Sequence, residues 1–187
     1  EITGVRIAAH EDFDRVVLDL TGDEVVLHLA RVNPVWEHLE AATEVRFVVT
    51  GDSAYVRNDW RAKPGVPPAE GVPTSYYASV QFRCGVQVVD DPAGIAEVLT
   101  WQFADLQPDG GHAEVSPTDG PYARMLPAIR ALRLPVREVV ASFKYDDEKP
   151  TEHRERVATH LEERGRPSDA GAAAQQRCRL REVGERH

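Results

Sequence analysis

Apolar residues alternate with polar or small ones through much of the first half of the chain, the period of a half-buried strand. Residues 2–8 set Ile, Val and Ile against smaller or polar neighbours, and residues 15–20 are short and β-branched. Residues 24–31 alternate again, with Val25, Leu27 and Leu29 on one face and Val26, His28 and Ala30 on the other. Thr21-Gly22-Asp23, just before them, predicts a hairpin-type turn. Asn33-Pro34 stops the strand, and Pro34 opens a short helix through Val35, Trp36 and Leu39. Two further strands follow, 45–49 and 54–56, joined across Gly51-Asp52.

Residues 61–73 are rich in Pro and Gly and predict a loop. A long strand is expected over 76–89, closed by Asp90-Asp91-Pro92, which starts a helix. On that helix Ile95, Val98, Leu99, Phe103 and Leu106 recur near helical spacing. A polar loop over 108–121 leads to a helical stretch over 121–132, disturbed by Pro127, and then to a last strand over 136–145. Residues 151–163 predict a charged helix and 169–180 an Ala-rich one. From Arg164 onward the apolar pattern is weak, which reads as a mobile segment or one docked on a partner. Many short strands followed by helices predict a mainly β (α+β) protein, an antiparallel barrel with added helices and a C-terminal helical segment. The domain organisation expected is a barrel over 1–150 and a helical extension over 151–187.

Length and composition narrow the function classes. The chain of 187 residues, 42% hydrophobic, can bury a sizeable core. Its 22 Lys and Arg stand against 31 Asp and Glu, a net charge of −9. A duplex-binding surface shows the opposite balance, because affinity there comes from neutralised phosphates, so nucleic acid is not an expected partner. No apolar run is long enough to span a bilayer. Cys84 and Cys178 make no disulfide framework and read as reduced thiols of a cytoplasmic protein. The first residue is Glu1 rather than Met, so a preceding segment is expected and the lack of a targeting peptide excludes little. The basic residues are nearly all Arg; Lys occurs only at 63, 144 and 149.

Three stretches carry a resemblance to a known family. The first is His28-Leu29-Ala30-Arg31-Val32-Asn33-Pro34-Val35-Trp36. The second runs from Ser53-Ala54-Tyr55 through Trp60 and Lys63 to Val72-Pro73-Thr74-Ser75-Tyr76-Tyr77. The third is Phe143-Lys144-Tyr145 with the charged helix and Arg164-Gly165 after it. In order and spacing these resemble the PaiB-like family of split β-barrels. That resemblance implies an antiparallel split barrel of the FMN-binding type, paired as a homodimer with a planar cofactor between protomers. The chain departs from the flavin-type pattern: Ser75 and Tyr76 stand where the family has Trp and Asn, and Gln81 and Arg83 stand near its histidine positions. A degraded flavin motif with His28 kept resembles the heme-dependent branch, the piperazate synthases. The activity implied is cyclisation of N5-hydroxy-L-ornithine to L-piperazic acid with heme b as cofactor. The alternatives are an FMN-binding PaiB-like regulator and a heme-storing or heme-degrading protein on the same barrel.

Side chains can be matched to those needs. Imidazole is the usual axial donor to heme iron, and of seven histidines only His28 sits mid-strand in a family motif. It is therefore the expected metal ligand, against the alternative of a satisfied core histidine. His112, after Gly110-Gly111, is the next candidate, and Cys84 is a third donor that nothing around it demands. His38, His153 and His160 read as solvated, as do Asp146-Asp147-Glu148 and the charges of 152–163. Tyr76 and Tyr77 are the candidate catalytic residues; as strand neighbours they point to opposite faces, so at most one faces a cleft. Trp60 is a candidate cover for the macrocycle. Lys63, Arg83 and Lys144 are candidate anchors for propionates or a phosphate.

Overall fold

The computed structural model describes residues 24–184, with side chains to Arg179. The strands expected over 2–8 and 15–20, and the turn at Thr21-Gly22-Asp23, lie outside the described residues. The strands are β1 (Glu24–Ala30), β2 (Glu44–Thr50), β3 (Ala54–Val56), β4 (Thr74–Gly85), β5 (Gln87–Val89) and β6 (Ile129–Lys144). They form one sheet in the order β1-β6-β4-β2, with β3 on β4 and β5 on β6. The pairs of known register are antiparallel: His28 faces Ala131, Val88 faces Leu132, and Ala54 faces Tyr76. The helices are α1 (Val35–Ala41), α2 (Asn58–Arg61), α3 (Pro92–Leu106), α4 (Gly120–Ala123), α5 (Thr151–Arg164) and α6 (Asp169–Gly184). An antiparallel sheet with helices and a C-terminal helix pair is the fold class expected from the pattern.

The chain divides into two compact units: one runs to Phe47 and resumes over Phe82–Val139, the other is Val48–Gln81 with Val140–His187. In the first, α3 covers a core of Val26, Ile95, Ala96, Val98, Leu126 and Ala131. Asp91 starts α3 by accepting from the Gly94 N–H at 2.8 Å, with Pro92 in the first turn. The buried stripe of α3 is Ile95, Ala96, Val98 and Gln102; Phe103 is half-buried and Leu106 exposed, so the stripe is narrower than its hydrophobic spacing predicts.

Three expectations for this part of the chain are corrected. The strand expected over 76–89 breaks at Val86, and β5 beyond the break pairs with β6. The helical stretch expected over 121–132 ends early: α4 and a 3-10 turn at Leu126–Ala128 give way to strand at Ile129. β6 therefore begins earlier than the expected 136 and runs through Pro135. Residues 129–134 are strand because partners β1 and β5 are present to pair them; Pro135, which has no N–H to donate, falls opposite Glu24 at the start of β1.

In the second unit, Ala54, Val56, Tyr76, Tyr145, Val157, Ala158, Leu161, Ala172 and Ala173 form the core. Gly165 ends α5 in the left-handed region at φ 64, its N–H on the Leu161 carbonyl. Arg164 forks onto Asp169 at 2.8 and 2.5 Å, and the Arg166 N–H reaches the same carboxylate at 2.9 Å. That corner folds α6 back on α5, burying Ala172, Ala173 and Gln176. Residues 169–179 of α6 thus pack on α5 of the same chain. Their weak pattern reflects an interface of alanines, which lets the helices approach closely.

Candidate functional site

The turn after β1 shows what most of its motif does. The Asn33 side chain accepts from the Val35 N–H at 3.0 Å and opens α1. Trp36 is buried and donates its indole N–H to the Ala30 carbonyl at 2.9 Å, with the Arg130 guanidinium 4.7 Å from its ring. Arg31 donates to the carbonyls of Pro127 and Ile129 and to Asp90. These residues build the turn. His28 is a member of the motif whose side chain makes no contact with the turn and reaches Gln102 instead.

His28 is half-buried on β1. Its Nδ1 lies 2.7 Å from Oε1 of Gln102 on α3. A carboxamide oxygen only accepts, so with this orientation Nδ1 carries the proton and Nε2 keeps its lone pair. Gln102 is 3% exposed, and its Nε2 has no partner among the described residues. The residue was missed in the sequence, although a Gln in an apolar helical stripe is a signal. A metal-ligating histidine characteristically donates its other ring N–H to a fixed acceptor, the arrangement found here.

The other candidates fall in varied settings. Tyr76 is fully buried; its hydroxyl donates to Asp146 at 3.1 Å and accepts from Gln176 at 2.9 Å. Burial, then the Asp146 charge, raise its pKa well above the ordinary tyrosine range. Tyr76 thus offers no face to a ligand within this unit, whereas Tyr77, its strand neighbour, is exposed. Trp60 stacks on His160 at 5.2 Å with the Arg164 guanidinium at 4.9 Å, so its ring is already covered. Arg83 is paired with Glu138 at 2.8 Å and Glu44 at 3.2 Å. His112 is exposed and stacks on Phe103 at 4.5 Å. Cys84 is buried; burial and then the Glu44 charge push its thiol up, which disfavours a thiolate donor. No group of three or more His, Cys, Asp or Glu that could hold a bare metal ion occurs among the described residues.

Asp146 and His153, expected as solvated, are instead the centre of a buried network. Asp146 is 5% exposed and sits at φ 55, a left-handed conformation that a short acidic side chain tolerates. It accepts from Arg61 Nε and Nη2, both at 2.9 Å, and lies 3.3 Å from His153 Nε2. Burial pushes the Asp146 carboxyl up, but the Arg61 hydrogen bonds and charge outweigh it and hold it below the usual range. Burial lowers the His153 pKa against the opposing pull of Asp146. His153 Nδ1 lies 3.2 Å from Arg156 Nη2, so the neutral ring accepts there and donates to Asp146.

This network borders two clefts that share Arg61 and Val72. The smaller, of about 400 Å³, includes Lys144, Asp146 and Asp147; the larger, of about 660 Å³, includes Lys63, Lys149, His153 and Arg156. All three lysines of the chain therefore line one cleft or the other.

Residues 8–138 match the family described as "Putative FMN-binding domain". No curated protein matches the chain. Among solved structures, the flavocytochrome Anf3 from Azotobacter vinelandii is similar at 20% identity and a TM-score of 0.49, covering 66% of this chain and 51% of that one. The FAD and heme binding protein from Mycobacterium smegmatis is similar at 19% identity and a TM-score of 0.48, covering 69% of this chain and 57% of that one. The chain thus spans between half and three fifths of the length of these structures. Among the described residues, no helix is long and apolar enough to cross a membrane.

Proposed function

The chain belongs to the FMN-binding domain family, and on that premise we propose that it is a split-barrel cofactor protein whose cofactor is heme b. The reaction proposed is closure of the N–N bond of L-piperazic acid from N5-hydroxy-L-ornithine with loss of water. The observation that carries the cofactor reading is the half-buried His28, whose Nδ1 is fixed by the buried Gln102. A heme needs a single oriented protein donor, and the donor set fits. His28 would hold the iron through Nε2, and Gln102 would keep the ring in one tautomer and one orientation. When bound, ferric heme supplies a Lewis acid that makes an N-hydroxyl a better leaving group. The substrate is implied by the resemblance to the piperazate synthases, as is the homodimer in which each cofactor touches both chains.

Titration of the purified protein with hemin tests the reading. Stoichiometric binding with a Soret band, lost in His28→Ala while the fold persists, is expected. Mass spectrometry of the heme-loaded protein with N5-hydroxy-L-ornithine should show a product lighter by one water. A monomer by light scattering that still holds hemin tightly overturns the dimer. Family membership itself favours a second reading, FMN as the resident cofactor. A yellow protein with a flavin spectrum and no affinity for hemin would replace the first reading with that one.

A further inference from the structure

We propose that the larger cleft of the second unit is a separate binding site for a small zwitterionic α-amino acid with an aliphatic side chain. Its volume of about 660 Å³ suits a small molecule, because such sites usually measure about 300–1,000 Å³. Ala62, Pro64, Val66, Val72 and Pro150 give it apolar walls, and Val66 and Val72 remain 38% and 71% exposed. Gly71 lets the wall close, since a Cβ there would lie 1.9 Å from the Asn58 carbonyl oxygen.

Charge selects the ligand. Arg61 is neutralised by Asp146 and Lys149 by Glu148. That leaves Lys63 and Arg156 without a carboxylate in ion-pair reach, and Glu70 and Glu152 without a cation, among the described residues. Arg156 is positioned without being neutralised, by the Trp60 carbonyl at 3.5 Å and by His153 at 3.2 Å. An anion alone would satisfy Lys63 and Arg156 and be repelled by Glu70 and Glu152, and a cation alone the reverse. A ligand carrying both signs around an aliphatic body answers all four side chains and the apolar walls.

The site can be tested by titration calorimetry on the full chain at low salt with L-leucine, 4-methylpentanoate and isoamylamine. Leucine should bind saturably, and each analogue, lacking one charge, at least tenfold more weakly. Lys63→Ala and Glu152→Gln should each weaken leucine binding at least fivefold without changing the thermal melt. His28 is not among the walls of the cleft. His28→Ala should therefore keep leucine binding even where it abolishes the hemin spectrum, so failure of the heme reading and failure of this site are read separately. Absence of leucine binding, 4-methylpentanoate binding as tightly as leucine, or affinity unchanged in both variants would each overturn the proposal.

Discussion

Nδ1 of His28 and Oε1 of Gln102 meet at 2.7 Å between a strand and a helix that lie 74 residues apart in sequence. The carboxamide is buried and has no other partner among the described residues. A buried side chain held this way fixes the proton on Nδ1 and leaves the lone pair on Nε2. In Gln102→Leu the ring loses its fixed tautomer, and hemin affinity should fall by about 10–100-fold, the usual effect of removing such a supporting contact. Nitrogen NMR of the cofactor-free protein should show His28 moving from one tautomer to a mixture. An unchanged tautomer with unchanged affinity would remove Gln102 from this role.

Tyr76→Phe deletes one hydroxyl but strips a donor from Asp146 and an acceptor from Gln176, both buried. Leaving such groups unsatisfied costs about 1–3 kcal/mol, which urea denaturation should record as a lower midpoint with an unchanged slope. Activity measured below the melting temperature should persist, because the hydroxyl is enclosed. Loss of activity without loss of stability would return Tyr76 to the catalytic candidates.

Alkaline stability should be set by two phenols. Burial, then the Asp52 charge, push Tyr145 from 10.0 to about 12, and Tyr76 is raised further. Because the folded pKa lies above the unfolded one, this stability is complete below pH 10.0 and declines as pH rises towards about 12. Tyrosinate absorbance from these two side chains should therefore appear together with unfolding. Tyr145→Phe should flatten the decline; tyrosinate from Tyr145 in a folded protein below pH 10.0 would contradict it.

Arg154 is 1% exposed, pairs with Asp147 at 3.2 Å and has no partner for Nε among the described residues. Removing only the carboxylate, in Asp147→Ala, leaves a buried charge and should cost about 3 kcal/mol. Arg154→Met removes the charge itself and should cost less, because apolar replacement of a buried ion pair is often neutral. Chemical denaturation of the two variants side by side decides the order, and a larger loss in Arg154→Met would refute it.

Gly71→Ala places a methyl 1.9 Å from the Asn58 carbonyl oxygen and 2.9 Å from the Ala62 nitrogen. Both are backbone atoms, so relief requires the loop to move, at about 1–3 kcal/mol. Hydrogen exchange should quicken across 58–72 while α3 keeps its protection. Unaltered exchange there would mean that the wall yields at no cost.

The sequence by itself determined the elements whose signals are local. The alternation of β1, the Asn33-Pro34 start of α1, the Asp91-Pro92 start of α3 and the charged helix α5 are each set by residues within a few positions of one another. The mainly antiparallel fold class followed from the same local pattern, whereas His28 was singled out by the resemblance of its motif to the family's. Tertiary structure decided the rest. Ile129–Leu134 is strand because β1 and β5 pair with it, although a nearby Pro127 suggested a broken helix. Asp146 is buried because Arg61, 85 residues distant, neutralises it; in sequence it stands beside Asp147 and Glu148 as though solvated. Gln102 gained its meaning from His28, and α6 its place from the small side chains it lays on α5. A short-range pattern reports which backbone conformation is favoured. Which polar groups lose water is decided only when distant segments pack, because desolvation belongs to the neighbours and not to the residue.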